Sequence, residues 1–184
     1  DDNVGRIVRA LDEAGLAEDT TIVYTSDHGD NLGARGIWGK STLYQESVAV
    51  PMILASPGLH AGTCETPVDL LDLYPTLLQA CNVDAAPHMI DRPGRSLFDL
   101  ACAPADRGRV VFSEYHAAGS NTAAFMLRKG RWKYHHYVRF RPELFDLQTD
   151  PEELVDLAGD PTHAAELADM EAELRRICEP EAVD

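Results

Sequence analysis

Apolar positions recur at helical spacing near the start of the chain: Val4, Ile7, Val8, Leu11 and Ala14 fall on one stripe, which ends at Gly15. The period then changes. Thr20-Thr21-Ile22-Val23-Tyr24-Thr25-Ser26 is a short, β-branched, mostly apolar run, the pattern of a strand buried on both faces of a parallel sheet. Residues 27–40 are too polar and too rich in glycine for a regular element, and a helical turn fits residues 43–47. Val50-Pro51-Met52-Ile53-Leu54-Ala55 reads as a second buried strand, with Pro51 at its start, where a missing N–H is tolerated. Asp72 stands where it could cap a helix over residues 73–81, with Pro75 in the first turn and Asn82 to end it.

The texture shifts over residues 83–109, which are rich in Pro, Asp, Arg and Gly and mark a boundary. Beyond them, residues 110–115, 123–127 and 131–138 predict successive antiparallel strands, the last two joined at Lys129-Gly130. A final helix is expected over residues 162–178, after Asp160-Pro161. The order implies an α/β domain with a parallel sheet over residues 1–105 and a small antiparallel α+β unit over residues 106–184.

Composition narrows the function classes. The 184 residues are 45% hydrophobic and 26% charged, which is ordinary for a globular protein and excludes disordered, collagenous and disulfide-rich classes. No apolar run approaches the roughly 20 residues of a membrane span. Sixteen Lys+Arg against 31 Asp+Glu give a net charge of −15, so no nucleic-acid partner is expected. One stretch runs against that balance: from Tyr115 through Pro142 there is no acid, while Arg128, Lys129, Arg131, Lys133, Arg139 and Arg141 cluster around Trp132, Tyr134 and Tyr137. From Glu143 on, acids outnumber bases fourteen to two, so solvated hairpin faces paired with an acidic tail are the simplest reading. Cys64, Cys81, Cys102 and Cys178 show no metal-ligand spacing and read as buried free thiols of a reducing, cytoplasmic compartment. The chain opens at Asp1-Asp2-Asn3 inside an amphipathic pattern, without Met or signal peptide, as a fragment would.

Candidate chemistry concentrates at Ser26-Asp27-His28-Gly29-Asp30. Here a carboxylate and an imidazole sit side by side where a buried strand meets a glycine loop, the end of an α/β sheet at which ligands bind. Asp27 and His28 together suit a divalent cation, and Gly29 spares a sharp backbone path a Cβ clash. On the bare Asp-His-Gly tripeptide, a turn-capping Asp27 and a satisfied loop histidine would be the simpler account. His135-His136 lies on a predicted strand, so its rings point to opposite faces and do not chelate together.

The longer context resembles a known family. Ser26-Asp27-His28-Gly29-Asp30-Asn31-Leu32-Gly33-Ala34-Arg35-Gly36-Ile37-Trp38-Gly39-Lys40 is similar to a motif of type I sulfatases, shared with phosphonate monoester hydrolases of the alkaline phosphatase superfamily. Val50-Pro51-Met52-Ile53, Asp72-Leu73-Tyr74-Pro75-Thr76-Leu77-Leu78, and Glu143-Leu144-Phe145-Asp146-Leu147 with Asp150-Pro151-Glu152-Glu153 resemble further family segments, in family order. Ser113-Glu114-Tyr115 and residues 126–134 resemble choline-sulfatase-like members most.

The resemblance implies the C-terminal part of an alkaline-phosphatase-like parallel-sheet sandwich and metal-dependent hydrolysis of a small-molecule sulfate ester. Phosphonate or phosphate ester hydrolysis, or a non-catalytic sulfatase fragment, are the alternatives. It implies Asp27 and His28 as metal ligands and Lys40, thirteen residues after Asp27, as the catalytic contact to the sulfate or bridging oxygen. Ca2+ is the implied metal, and the imidazole leaves Mn2+ or Zn2+ open. Trp38 and His116 are candidate pocket residues, set against core packing or plain surface exposure. The family nucleophile, a formylglycine, is expected only outside this chain. Cys102-Ala103-Pro104-Ala105-Asp106 has Asp where the modification motif needs Arg, and Asp1-Asp2 reads as helix-start acids rather than metal ligands. No membrane partner is implied, and a homo-oligomer is left open.

Overall fold

The computed structural model describes residues 1–84, 92–117 and 119–183, so the middle of the expected boundary segment, residues 85–91, lies outside the described residues. The chain forms two compact units that interleave in sequence: Asp1–Ser26, Pro51–Cys64 and Leu71–Ala103 make the first, and Asp27–Val50, Glu65–Leu70 and Pro104–Asp184 the second.

In the first unit, the helical stripe becomes α1 (Asp2–Glu13), with Asp2 in its first turn, where an acid meets the positive end of the helix dipole. None of its residues is buried, and Ile7 stands 64% exposed. The two apolar runs become β1 (Ile22–Thr25) and β2 (Met52–Ala55). They pair antiparallel, Ile22 opposite Ala55 and Thr25 opposite Met52, where strands of a parallel sheet were expected. Nor are the two strands buried on both faces as expected: Tyr24 is 45% and Ile53 58% exposed. Parallel neighbours are usually joined by a crossover helix, whereas the intervening segment holds a 3-10 turn (Ala34–Gly36) and the four-residue α2 (Gln45–Val48). The α/β class itself stands.

Helix α3 (Leu73–Ala80) follows a turn of 3-10 helix at Leu70–Asp72 and ends where Asn82 takes a left-handed φ of 54°. Asp72 occupies the cap position, but its side chain makes no cap hydrogen bond; its Oδ1 accepts the N–H of Arg95 at 2.8 Å. Thr76 Oγ1 donates to the Asp72 carbonyl at 2.6 Å and accepts the N–H of Leu97 at 2.8 Å, which fixes the start of α4 (Leu97–Cys102), an element the sequence pattern did not reveal.

The second unit is built on a four-stranded antiparallel sheet in sequence order: β3 (Val110–Tyr115), β4 (Ala124–Lys129), β5 (Trp132–Tyr137) and β6 (Glu143–Asp146). The turn between β4 and β5 falls at Gly130, with φ 59°. Period-two alternation divides the sheet's faces. On one side Phe125, Leu127, Tyr134 and Leu144 pack with Met170 and Leu174 of α5 (Ala164–Ile177). On the other, Ala124 and Met126 pack with Leu43, Val48, Tyr115 and Tyr137, so the motif-bearing segment 27–50 covers that face. Burying side chains such as Leu127, which is fully inaccessible, contributes roughly 1.5–3 kcal/mol each. The short helix α6 (Pro180–Val183) closes the described chain.

The basic cluster meets the acidic tail as its charge pattern implied: Lys129 pairs with Asp169 and Glu173, Arg131 with Asp146, and Arg141 with Asp156. Lys133 departs from the expected solvated face, because its side chain is fully buried against Glu153. All four cysteines are free, but Cys64, Cys81 and Cys102 are exposed rather than buried: each lies near a loop or helix end, not in an apolar core. Among the described residues no helix is long and apolar enough to cross a membrane.

Candidate active site

Asp27 and His28 follow β1 by two and three residues and begin the second unit's first segment. Their path is set by Gly29, whose N–H donates to the Ser47 carbonyl at 2.8 Å. A Cβ on Gly29 would stand 2.0 Å from the Glu46 carbonyl oxygen, so glycine is required by this close approach to α2, not by an unusual backbone angle.

Asn31 then closes the loop on itself. It is nearly inaccessible; its N–H and its Nδ2 both donate to the Gly39 carbonyl, at 2.8 and 2.6 Å, and Nδ2 also reaches Ser47 Oγ at 3.1 Å. Asp30 Oδ1 accepts from the N–H of Leu32 at 2.8 Å and of Gly39 at 3.3 Å. The thirteen-residue offset between Asp27 and Lys40 is therefore folded back to nothing. Lys40 Nζ lies 2.5 Å from His28 Nε2, and His28 Nε2 lies 3.3 Å from Asp27 Oδ2.

The hydrogen-bond partners fix the imidazole's tautomer. The Gly29 carbonyl, 2.7 Å from His28 Nδ1, only accepts, and the Lys40 ammonium only donates. His28 Nδ1 therefore donates to the Gly29 carbonyl, and the Nε2 edge of the ring faces Asp27 and Lys40. Desolvation works to raise the Asp27 pKa, but the neighbouring His28, the backbone N–H groups of Asp27 and His28, and Lys40 together outweigh it and hold the carboxyl below its ordinary value. Asp27 is anionic across the physiological range.

This donor set suits a divalent cation. Ligands at about 2.0–2.4 Å from one ion and roughly at right angles lie about 3 Å apart, the separation found between Asp27 Oδ2 and His28 Nε2. A ligating histidine ordinarily donates its other ring N–H to a carbonyl or carboxylate, as His28 does. Among the described residues no group of three or more His, Cys, Asp or Glu side chains is placed to hold a metal, so these two alone would make only part of a coordination shell.

The remaining candidates are dispersed. Trp38 shares the loop with Lys40 and is 76% exposed. His116 lies just past β3, its Nε2 3.3 Å from Glu114 Oε2 and its ring edge-on to Phe125. Sequence reasoning missed a group beneath the loop. Arg35 Nη1 donates to the Glu153 carbonyl at 3.0 Å, Lys133 Nζ pairs with Glu153 Oε1 at 2.6 Å, and Tyr44 Oη donates to both Glu143 carboxylate oxygens, at 3.1 and 3.2 Å. Burial and the facing Glu143 push the Tyr44 pKa up to about 12. The available signal was Lys133 between apolar neighbours on a strand, at a position facing the sheet's second side.

Residues 1–83, which contain Asp27, His28 and Lys40, match the Sulfatase family model. The kinship extends along the chain. It is 35% identical over 154 residues to the choline-sulfatase of Rhizobium meliloti (strain 1021), covering 84% of this chain and 30% of that protein. Among solved structures it resembles the phosphonate monoester hydrolase SpPMH from Silicibacter pomeroyi, with TM-score 0.79 and 34% identity over 94% of this chain and 37% of that one. A 2-O GAG sulfatase gives TM-score 0.83 at 29% identity, covering 95% of this chain and 39% of that chain. The chain thus spans well under half the length of these relatives.

Proposed function

We propose that this chain supplies one wall of a metal-dependent sulfate-ester hydrolase site, with Asp27 and His28 as metal ligands and Lys40 as the catalytic cation. The observation that carries the reading is the convergence of Asp27 Oδ2, His28 Nε2 and Lys40 Nζ, within 3.3 and 2.5 Å of the shared imidazole nitrogen, inside the Sulfatase-matched segment. When bound, the divalent ion, Ca2+ or Mn2+ by the donor chemistry, polarises the ester's S–O group as a Lewis acid. Asp27 stays ionised, and the His28 Nδ1 contact with the Gly29 carbonyl keeps Nε2 facing Asp27 Oδ2, so that the two would hold the ion together. Lys40 meets the negative charge that grows on the leaving oxygen as the S–O bond breaks, where a fixed ammonium acts without reorganising. The formylglycine nucleophile and further metal ligands belong, in this proposal, to the rest of the polypeptide. Trp38, exposed on the same loop as Lys40, is the proposed lining residue for the alcohol portion.

The test is Lys40→Ala in the active protein that carries this segment, assayed on choline sulfate and on aryl sulfates of graded leaving-group pKa. kcat and kcat/KM should fall together by roughly 10²–10³-fold, as for one lost oxyanion donor, and most for poor leaving groups. A rise in KM alone, equal for all esters, would show a ground-state anion binder and sink the catalytic role. A second reading, phosphonate monoester hydrolysis, is favoured by the 34% identity to SpPMH. A higher kcat/KM for a phenyl phosphonate monoester than for every sulfate would select it, and no turnover of any ester would leave the non-catalytic alternative.

A further inference from the structure

The second face of β5 presents Lys133, His135 and Tyr137 toward the segment that carries the motif; Tyr137 joins the apolar cluster there, whereas Lys133 and His135 each meet an acid. Lys133 and Glu153 have fully inaccessible side chains, with Nζ and Oε1 2.6 Å apart. Lys133 Nζ also donates to Gln45 Oε1 at 3.0 Å, and Glu153 Oε2 accepts the N–H of Gln45, the first residue of α2, at 2.7 Å. Arg35, from the outer turn of the motif loop, donates to the carbonyls of Glu152 and Glu153, lies 3.7 Å from Glu153 Oε2 and 3.4 Å from Glu46 Oε2, and stacks on Tyr44 at 4.0 Å. Both Arg35 (φ 55°) and Glu153 (φ 53°) are held in the left-handed region, which non-glycine residues keep only where their surroundings over-determine it.

We propose that Arg35, Lys133 and Glu153 form a buried brace that positions the His28–Lys40 pair, making Arg35 and Glu153 positioning residues for the hydrolysis proposed above, on which this inference rests. The line of contact is continuous. The brace fixes α2 through Gln45; the Glu46 and Ser47 carbonyls of α2 fix Gly29; and the Gly29 carbonyl fixes the His28 ring. Through Ser47 Oγ and Asn31 it also fixes Gly39, the residue before Lys40. Stability alone does not account for the arrangement, because a buried ion pair seldom holds a fold better than apolar residues of the same volume. Directional charged hydrogen bonds do what an apolar pair cannot: they set the loop's register on the sheet.

The experiment uses the 184-residue chain with 15N-labelled histidine, comparing wild type with Arg35→Ala, Glu153→Gln and Arg35→Lys. Wild type should show His28 with a protonated Nδ1 and an unprotonated Nε2. In each variant the two ring-nitrogen signals should converge as the tautomers exchange, while the backbone amide signals of β4 and β5 stay in place. A His28 signature unchanged in a folded variant overturns the proposal. Should Glu153→Gln and Arg35→Ala fail to fold, Arg35→Lys decides alone, since it keeps the charge and the stem but not the fork that spans the two carbonyls. In the active protein, Arg35→Ala should lower kcat by roughly 10–100-fold, as outer-shell substitutions do, and leave KM nearly unchanged. A shifted His28 signature in a protein that cleaves no ester would end the hydrolase reading and keep the brace; an active protein with an indifferent His28 would do the reverse.

Discussion

Gly29→Ala is the sharpest perturbation this structure offers. The added carbon would sit 2.0 Å from the Glu46 carbonyl oxygen and 3.0 Å from its carbon, both backbone atoms of α2 that no rotamer change can remove. Relief to ordinary contact near 3.4 Å requires the loop and α2 to part by more than an ångström, which breaks the 2.8 Å bond from the Gly29 N–H to Ser47. Overpacking costs roughly 1–3 kcal/mol and the lost hydrogen bond about 1 kcal/mol, so the variant should lose about 2–4 kcal/mol. Gly36→Ala is the control in the same loop: nothing lies within 4 Å of its Cβ position, and only its φ of 71° is unfavourable for alanine. That conformational penalty is about 1–2 kcal/mol. Urea denaturation of both variants, followed by a probe in the four-stranded sheet, gives the two free energies directly. If Gly29→Ala cost no more than Gly36→Ala, the close approach to α2 would not constrain the loop, and the account of how His28 is placed would fail.

Three further outcomes are expected. Asn31→Ala removes the side-chain bonds to Gly39 and Ser47, and should cost about 1–3 kcal/mol while loosening Lys40 from His28; amide exchange at Gly39 faster than in wild type checks it. Leu127→Ala, in the fully buried face under α5, should cost roughly 2–5 kcal/mol by thermal melting, and a loss under 1 kcal/mol would contradict the core assignment. Lys133 should titrate near 8 rather than 10.5, because burial disfavours its ammonium more strongly than Glu153 restores it. With its folded pKa below the unfolded value, the unfolded chain binds more protons between about 8 and 10.5, so this group's penalty applies in full below that window and is relieved as pH rises through it. Lysine side-chain NMR showing all lysines titrating together would refute the burial argument.

Much of this was legible in the pattern of residues. The 3.6-residue period of α1 and the alternation in β3, β4 and β5 are local signals, and they placed those elements within a few residues. Asp27, His28 and Lys40 were identified from the motif they share, and the structure brings all three together. The failures are non-local. The direction of the β1–β2 pairing depends on how the chain returns, α4 is started by a hydrogen bond from its Leu97 N–H to Thr76 in another helix, and the burial of Lys133 depends on a glutamate twenty residues later. Left-handed backbone at Arg35 and Glu153 leaves no mark in composition, since neither residue type favours it.

The distance in sequence between the motif and its support has a consequence for gene models and engineered truncations. Every residue of the motif lies before residue 41, yet Arg35 is held by backbone carbonyls 117 and 118 positions downstream. A shortened version ending before Glu143 would retain the whole of residues 1–83, which match the family model, while losing Glu143, Glu152 and Glu153. A motif search would score the two alike. Only the longer one carries the scaffold against which Asp27, His28 and Lys40 are aligned, so the C-terminal strands belong in any definition of where this site begins and ends.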